Sequence, residues 1–227
     1  MNSLIELKNI SKYYIVNKKT VILKKINYKF KKGLIYSLVG PSGSGKSTLL
    51  NLISLIDKPS SGEIIINNNS TKYNDISQND QLRADKIGII YQQNNLLPDF
   101  NALENVYLAR LAIDNNKNSA ILEATKIIKS LGLLNRLNHF PSELSGGELQ
   151  RIAFSRALIN KPEIILADEP TGSLDQSTAK EVFKILFKLK SNNRLIIYAT
   201  HNRLFANMAD CKLEMIDGNI KPSNARK

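Results

Sequence analysis

Asp168 and Glu169 stand side by side at the end of an apolar run, Ile164-Ile165-Leu166-Ala167. A second apolar run, residues 34–39, leads into Gly40-Pro41-Ser42-Gly43-Ser44-Gly45-Lys46-Ser47-Thr48. The chemistry these two groups could do together is phosphoryl transfer. Glycines let backbone N–H groups converge on phosphate oxygens without a side-chain clash. The apolar stretch 49–56 makes the segment the start of a helix, whose N-terminus adds partial positive charge. Lys46 can reach the β- and γ-phosphates of a nucleotide, and the Ser47 hydroxyl can ligate Mg²⁺. Such a site needs an acid at a strand end to hold Mg²⁺, and Asp168 fits. Glu169, one residue on, is placed to orient or deprotonate an attacking water. Acids often end strands, so this pair carries weight chiefly beside the glycine-rich segment.

A third group is Leu144-Ser145-Gly146-Gly147-Glu148, which opens a predicted helix running through Arg151 to about Ile159. Ser145 and Glu148 fit a capping box, and a well-capped helix would account for them. Two consecutive glycines are poor helix formers, however, and are odd for capping alone. They bare a helix N-terminus to any approaching anion. Since the chain already owns one phosphate site, a second suggests that it meets the ATP of another molecule.

The elements that must position these residues are legible in outline. Residues 34–39, 87–91, 164–167 and Leu195–Ala199 are apolar runs of strand length, and three of them end at chemically informative residues. A buried parallel sheet feeding its C-terminal edge would read this way. Residues 119–131 carry apolar side chains at 121, 122, 124, 127, 128 and 131 and end at Gly132, which predicts an amphipathic helix with a glycine cap. The polar run 67–72 reads as a loop after Ile64-Ile65-Ile66. The expected organisation is a nucleotide-binding core, about 1–92 and 160–227, with a mostly helical part, about 93–159, inserted in it.

The whole set resembles the nucleotide-binding subunits of ABC transporters, over nearly the full chain. Leu144-Ser145-Gly146-Gly147-Glu148 matches the signature that defines that family. Gln92 resembles its Q-loop glutamine, Ser173-Leu174-Asp175 its D-loop, and His201 its switch histidine. Tyr14 sits where the family's adenine-stacking aromatic lies, with Tyr13 beside it as a rival. Glu148 stands where glutamine is common, and Asn202 where an acid is frequent. The resemblance implies an α/β fold: a P-loop NTPase core with a parallel sheet, an N-terminal antiparallel β part and an inserted helical subdomain. It implies ATP and Mg²⁺ as ligands, with Ser47, Gln92 and Asp168 at the metal and Glu169 and His201 catalytic. It implies a head-to-tail dimer in which the signature of one copy covers ATP on Lys46 of the other.

Ile90-Tyr91-Gln92-Gln93-Asn94-Asn95-Leu96-Leu97-Pro98-Asp99-Phe100, continuing through Val106, narrows the resemblance. With Ala-Asp-Glu-Pro-Thr-Gly-Ser-Leu-Asp over 167–175, it points to the branch serving lipoprotein release, macrolide export and cell division, nearest to lipoprotein release. That implies integral membrane subunits as partners and a peripheral place on the cytoplasmic side of an inner membrane. Leu96, Leu97, Phe100, Leu103 and Val106 form a run apolar enough to be expected as a groove for such a partner. No 20-residue apolar stretch is present to span a bilayer, and Met1-Asn2-Ser3-Leu4-Ile5-Glu6 does not read as a secretion signal. One cysteine, Cys211, excludes an internal disulfide and suits a reducing cytoplasm. The net charge of +12 is concentrated in the first 32 residues, where nine lysines face Glu6. That could draw in nucleic acid or anionic lipid. No aromatics are interleaved with arginines, so a solvated lysine-rich surface is the plainer reading and no nucleic-acid partner is expected. A soluble ABC ATPase acting on ribosomes or DNA is the rival class. Such proteins usually carry two cassettes or a long coiled-coil insert, whereas this chain has one of each motif and a short insert.

Overall fold

Ile164-Ile165-Leu166-Ala167 and Leu195-Ile196-Ile197-Tyr198-Ala199 carry apolar side chains on both faces, which only a sheet covered on both sides can hold. In the computed structural model, which describes residues 3–15, 17–71 and 76–223, both become buried parallel strands. The chain enters through a long hairpin, β1 (Ser3–Ile15) and β2 (Lys19–Lys31), then runs into β3 (Ile35–Val39) and α1 (Lys46–Ile53). β4 (Ser61–Ile66), the two-residue β5 (Asn69–Ser70), α2 (Ile76–Lys86) and β6 (Ile87–Ile90) follow. Next come the helices α3 (Ala102–Leu111), α4 (Lys117–Ser130) and α5 (Gly146–Leu158). β7 (Ile164–Asp168), α6 (Gln176–Lys188) and β8 (Leu195–Ala199) return the chain to the sheet. The short α7 (Arg203–Ala206) and the hairpin β9 (Cys211–Ile216) and β10 (Asn219–Ser223) complete the fold.

Among the described residues the strands form two sheets. One is antiparallel, in the order β2-β1-β4-β5. The other has the order β10-β9-β3-β8-β7-β6 and is parallel except for the pairing of β10 with β9. This is the expected α/β class. Side chains alternate across the larger sheet with the two-residue period of a strand. Ile164, Leu166 and Ile197 face a core shared with α1 and the antiparallel sheet, while Ile165, Ala167, Ile196 and Tyr198 face α5 and α6. A third core joins α3, α4 and part of α5 through Val106, Ala124, Ile128 and Ile152.

Several expectations are corrected. The polar run 67–72 contains β5, because Asn67 and Asn68 take left-handed backbone (φ 51 and 64) and turn the chain back on β4; Lys72, like Met1 and Asn2, lies outside the described residues. The helix expected over 119–131 begins at Lys117, since the Asn116 side chain accepts the Ser119 N–H at 3.0 Å and caps it there. Its buried stripe is Ala120, Ala124 and Ile128, and Leu122 points to solvent. The apolar run 96–106 does not form one groove. Val106 is fully buried and Leu96 and Leu103 pack on the helical core, leaving Leu97 and Phe100 exposed.

Candidate active site

Among helices with a described cap, α3, α4, α6 and α7 start at Asn101, Asn116, Asp175 and Asn202, whose side chains take up the first N–H groups. No side chain caps α1, and no acid stands in its first turn. Its N-cap, Gly45, adopts φ 100, and a Cβ there would lie 2.7 Å from the Leu23 side chain. Leu23 and Ile22 of the hairpin therefore press directly on the loop, and the free N–H groups of the helix start are left for an external anion. Lys46 folds back over that loop, donating to the carbonyls of Gly40 (2.9 Å) and Pro41 (3.0 Å). Ser44 is buried and its hydroxyl has no hydrogen-bond partner. A cleft of about 480 Å³ brings the glycine-rich loop, including Ser42, Gly43, Ser47 and Thr48, together with Gln92, Asp168, Glu169 and His201.

The acids reach this cleft because β7 ends level with its neighbours: Asp168 pairs with Ala199 of β8, which pairs with Leu38 of β3. The Asp168 atom Oδ1 is buried without a hydrogen-bond partner, an arrangement that costs free energy unless a cation or ordered water meets it. Glu169 turns out of the strand with φ 46, a left-handed backbone unusual for this residue. Its N–H donates to Ala199 and its carbonyl accepts the Gly172 N–H, which hold the turn. The carboxylate then meets His201 twice, at Nδ1 (2.9 Å) and at the backbone N–H (3.3 Å). Glu169 is mostly buried in this contact, while the imidazole projects outward. Gln92 lies against Gly172, where a Cβ would come within 2.8 Å of its amide nitrogen.

Ser145, Gly146 and Gly147 are elsewhere. They line a separate concavity with Leu174, Asp175 and Thr178, and among the described residues none lines both this surface and the cleft. The capping box is complete: Ser145 accepts the Glu148 N–H and Glu148 accepts the Ser145 N–H. A Cβ on Gly147 would lie 2.6 Å from the Thr178 methyl, so the second glycine lets α5 approach α6. Asp175 caps α6 through the N–H groups of Ser177 and Thr178, and the hydroxyls of Ser177 and Thr178, ahead of those N–H groups, hold its carboxyl well below the usual range. Tyr14 lies beside the cleft, with its hydroxyl bonded to Asp57. Sequence reasoning missed Ile22, Asp57 and Arg136. Arg136 binds Glu148 at 2.8 Å from 12 residues away, a spacing no local pattern betrays.

A glycine-rich loop at an uncapped helix start and a glycine-paired helix cap thus stand on two separate surfaces of the chain. The ABC transporter family profile matches residues 23–172, and the chain belongs to this family as one of its ATPases. It is 45% identical to the lipoprotein-releasing system ATP-binding protein LolD of Rickettsia bellii, over 98% of this chain and 99% of that one. To LolD of Ehrlichia canis it is 46% identical, over 96% of each chain. Among solved structures it matches the dimeric structure of MJ0796, a bacterial ABC transporter cassette, with a TM-score of 0.90 and 38% identity over 98% of this chain and 99% of that one. It matches the dimeric post-hydrolysis state of the same cassette, bound to ADP and Pi, with a TM-score of 0.90, 37% identity and the same coverage. Among the described residues no helix is long and apolar enough to cross a membrane.

The Glu148 carboxyl is held down from its ordinary 4.5 to about 2, first by the Arg136 guanidinium and then by the Ser145 N–H. A depressed pKa stabilises the fold above the unfolded value, and that contribution fades as pH falls towards 2. Glu148→Gln, which keeps the cap acceptor but loses the ion pair, should therefore be less stable than wild type at neutral pH. The gap should be modest, ~0.5–1 kcal/mol, because Arg136 is solvent-washed. Denaturant unfolding at stepped pH should show the gap closing below about pH 4.5; a gap independent of pH would sink this account.

Proposed function

We propose that two copies of this ATPase close head to tail around two ATP molecules, and that the closed dimer drives membrane subunits releasing lipoproteins from an inner membrane towards the outer one. The separation of the loop cleft from the signature surface carries the dimer: each half-site on one chain needs its complement from a second. The dimeric cassettes of the same fold support this reading, and the near-full-length likeness to LolD proteins supports lipoprotein release. The chain acts as one nucleotide-binding domain, its helical part carrying the signature. It sits peripherally on the cytoplasmic side of the membrane.

In this reading residues 40–48 wrap the triphosphate with backbone N–H groups, and Lys46 exchanges its loop carbonyls for the β- and γ-phosphates. The buried, unpartnered Oδ1 of Asp168, beside Ser47 and Gln92, is a donor set that fits Mg²⁺, which prefers one or two carboxylates plus phosphates and water. When bound, Mg²⁺ neutralises charge on the phosphate oxygens. Glu169 takes the proton of the attacking water, and the His201 contact holds its carboxylate at the sheet edge while the exposed imidazole reaches the γ-phosphate. Ser145, Gly146, Gly147 and Glu148 of the second copy close over the phosphates, with Asp175 ordering the loop beside them.

Docking to the membrane partner falls to Leu97 and Phe100. Buried Asn105 bonds the Leu97 N–H (2.7 Å) and the carbonyls of Leu97 (3.1 Å) and Phe100 (2.8 Å), so it fixes the loop that displays both side chains. An apolar partner surface would cover both exposed side chains.

Glu169→Gln should still bind ATP, lose about 10²–10⁴ in hydrolysis rate and accumulate as a closed dimer on size exclusion with ATP; full activity would remove Glu169 from its role. A mixed dimer of Ser145→Arg with Lys46→Ala places both lesions in one composite site and leaves the other whole. It should turn over ATP while either mutant homodimer is dead, and an active Ser145→Arg homodimer would overturn the shared site. Leu97→Glu and Phe100→Glu should each abolish copurification with the membrane subunits while the isolated chain keeps its ATPase activity. Copurification at wild-type level would place the docking surface elsewhere.

A further inference from the structure

Tyr13 and Tyr14 leave opposite faces of β1. The Tyr13 ring carries the Lys19 ammonium, 4.2 Å from its centroid. Tyr14 turns the other way, towards the nucleotide cleft: its hydroxyl bonds Asp57 Oδ2 at 3.0 Å and also interacts with the side chain of Thr48, which lines the cleft. Two residues back on the same strand face, Lys12 donates to Asp57 Oδ1 at 2.6 Å and to the Lys58 carbonyl at 2.8 Å. Its ammonium also stands over the Tyr14 ring, 4.8 Å from the centroid. The Lys12 side chain is only 9% exposed, and lysine is almost never buried without a partner. Tyr14, by contrast, stays 44% exposed. One face of an open ring is thus bracketed by an ion pair whose lysine is buried, and its hydroxyl is tied down at the rim. A free surface tyrosine would have to give up rotamer freedom to stack on a base. This one has given it up already.

We propose that Lys12 and Asp57 are positioning residues that hold the Tyr14 ring as a fixed platform for the adenine of ATP, setting affinity for the base rather than the rate of hydrolysis. The proposal rests on the reading above in which this chain binds ATP, with Tyr14 against its base. Burial pushes the Asp57 carboxyl up, but the hydrogen bonds from Lys12 and Tyr14 outweigh it, so Asp57 remains the charged acceptor the bracket needs.

The test uses the full chain, with ATP as substrate and inorganic tripolyphosphate as a competitor that lacks a base. Asp57→Ala should raise KM for ATP about fivefold, the scale of one hydrogen bond's net contribution, with kcat within about twofold. Tyr14→Phe keeps the ring and removes only its anchor, and should raise KM by a similar factor. Inhibition by tripolyphosphate should be unaltered in both. Adding Asp57→Ala to Tyr14→Ala should raise KM no further, since no ring is left to position. A parallel loss of tripolyphosphate affinity, or full additivity in the double variant, would overturn the proposal and assign the pair to the phosphate loop. If Tyr14→Ala raises KM but Tyr14→Phe and Asp57→Ala do not, the bracket alone is overturned. If Tyr14→Ala leaves KM unchanged, the adenine contact itself fails and the bracket falls with it.

Discussion

Strands β3, β8 and β7 stop level with one another, because parallel pairing aligns Leu38 with Ala199 and Ala199 with Asp168. Each strand then hands the chain to a different chemical group: the glycine-rich loop after Val39, Glu169 after Asp168, and His201 two residues after Ala199. Two backbone bonds lock the exits together, from Glu169 N–H to Ala199 and from Thr200 N–H to Leu38. Had any of these strands slipped by one residue, its apolar side chains would have changed faces and the exits would no longer converge. Register, enforced by burial on both faces of the sheet, is therefore what places phosphate grip, carboxylates and histidine in one cleft.

The opposite edge of the same sheet does different work. Glu163, just before β7, is bound by Lys32 at the end of the hairpin, by Lys86 at the end of α2 and by Asn67 in the β4–β5 turn. Burial raises the Glu163 carboxyl, yet the hydrogen bonds from Lys86 and Asn67 leave it below the usual range. This half-buried acid ties the two sheets together. Some of the lysine excess that suggests an anionic partner is thus spoken for: Lys12, Lys29, Lys32 and Lys86 are paired with acids inside the molecule.

The helix α5 joins the signature to the core. Its start, Ser145 to Gly147, faces the second concavity; Ile152 and Ile159 pack with α3 and α4, while Phe154, Ala157 and Leu158 pack under the sheet. A rigid helix shared by two cores cannot move at one end without repacking the other, since interiors are close-packed. The loop that displays Leu97 and Phe100 is bound to the same helix, because Arg156 reaches back to the carbonyls of Asn94 and Asn95. The glycine-paired helix start, the loop carrying Leu97 and Phe100, and the sheet thus share one mechanical element.

Residues whose chemistry is local could be read from the sequence alone. The glycine-rich loop before Lys46, the carboxylate pair after an apolar run, and the Ser145–Glu148 capping box each act through neighbours a few positions away, and each stands where it was expected. The apolar strands were legible for the same reason, as was α5 from its cap. Helix α6 was not anticipated although Ala179, Val182, Phe183 and Leu186 carry a helical stripe, and α2 offered no stripe at all. Only the tertiary structure could decide which apolar residues of 96–106 face outward, because that depends on the buried side chain of Asn105. The same holds for the separate contacts of Tyr13 with Lys19 and of Tyr14 with Asp57, 43 residues away, and for Arg136 on Glu148. These are contacts between distant segments, and a chain's sequence states them only through the fold that brings the segments together.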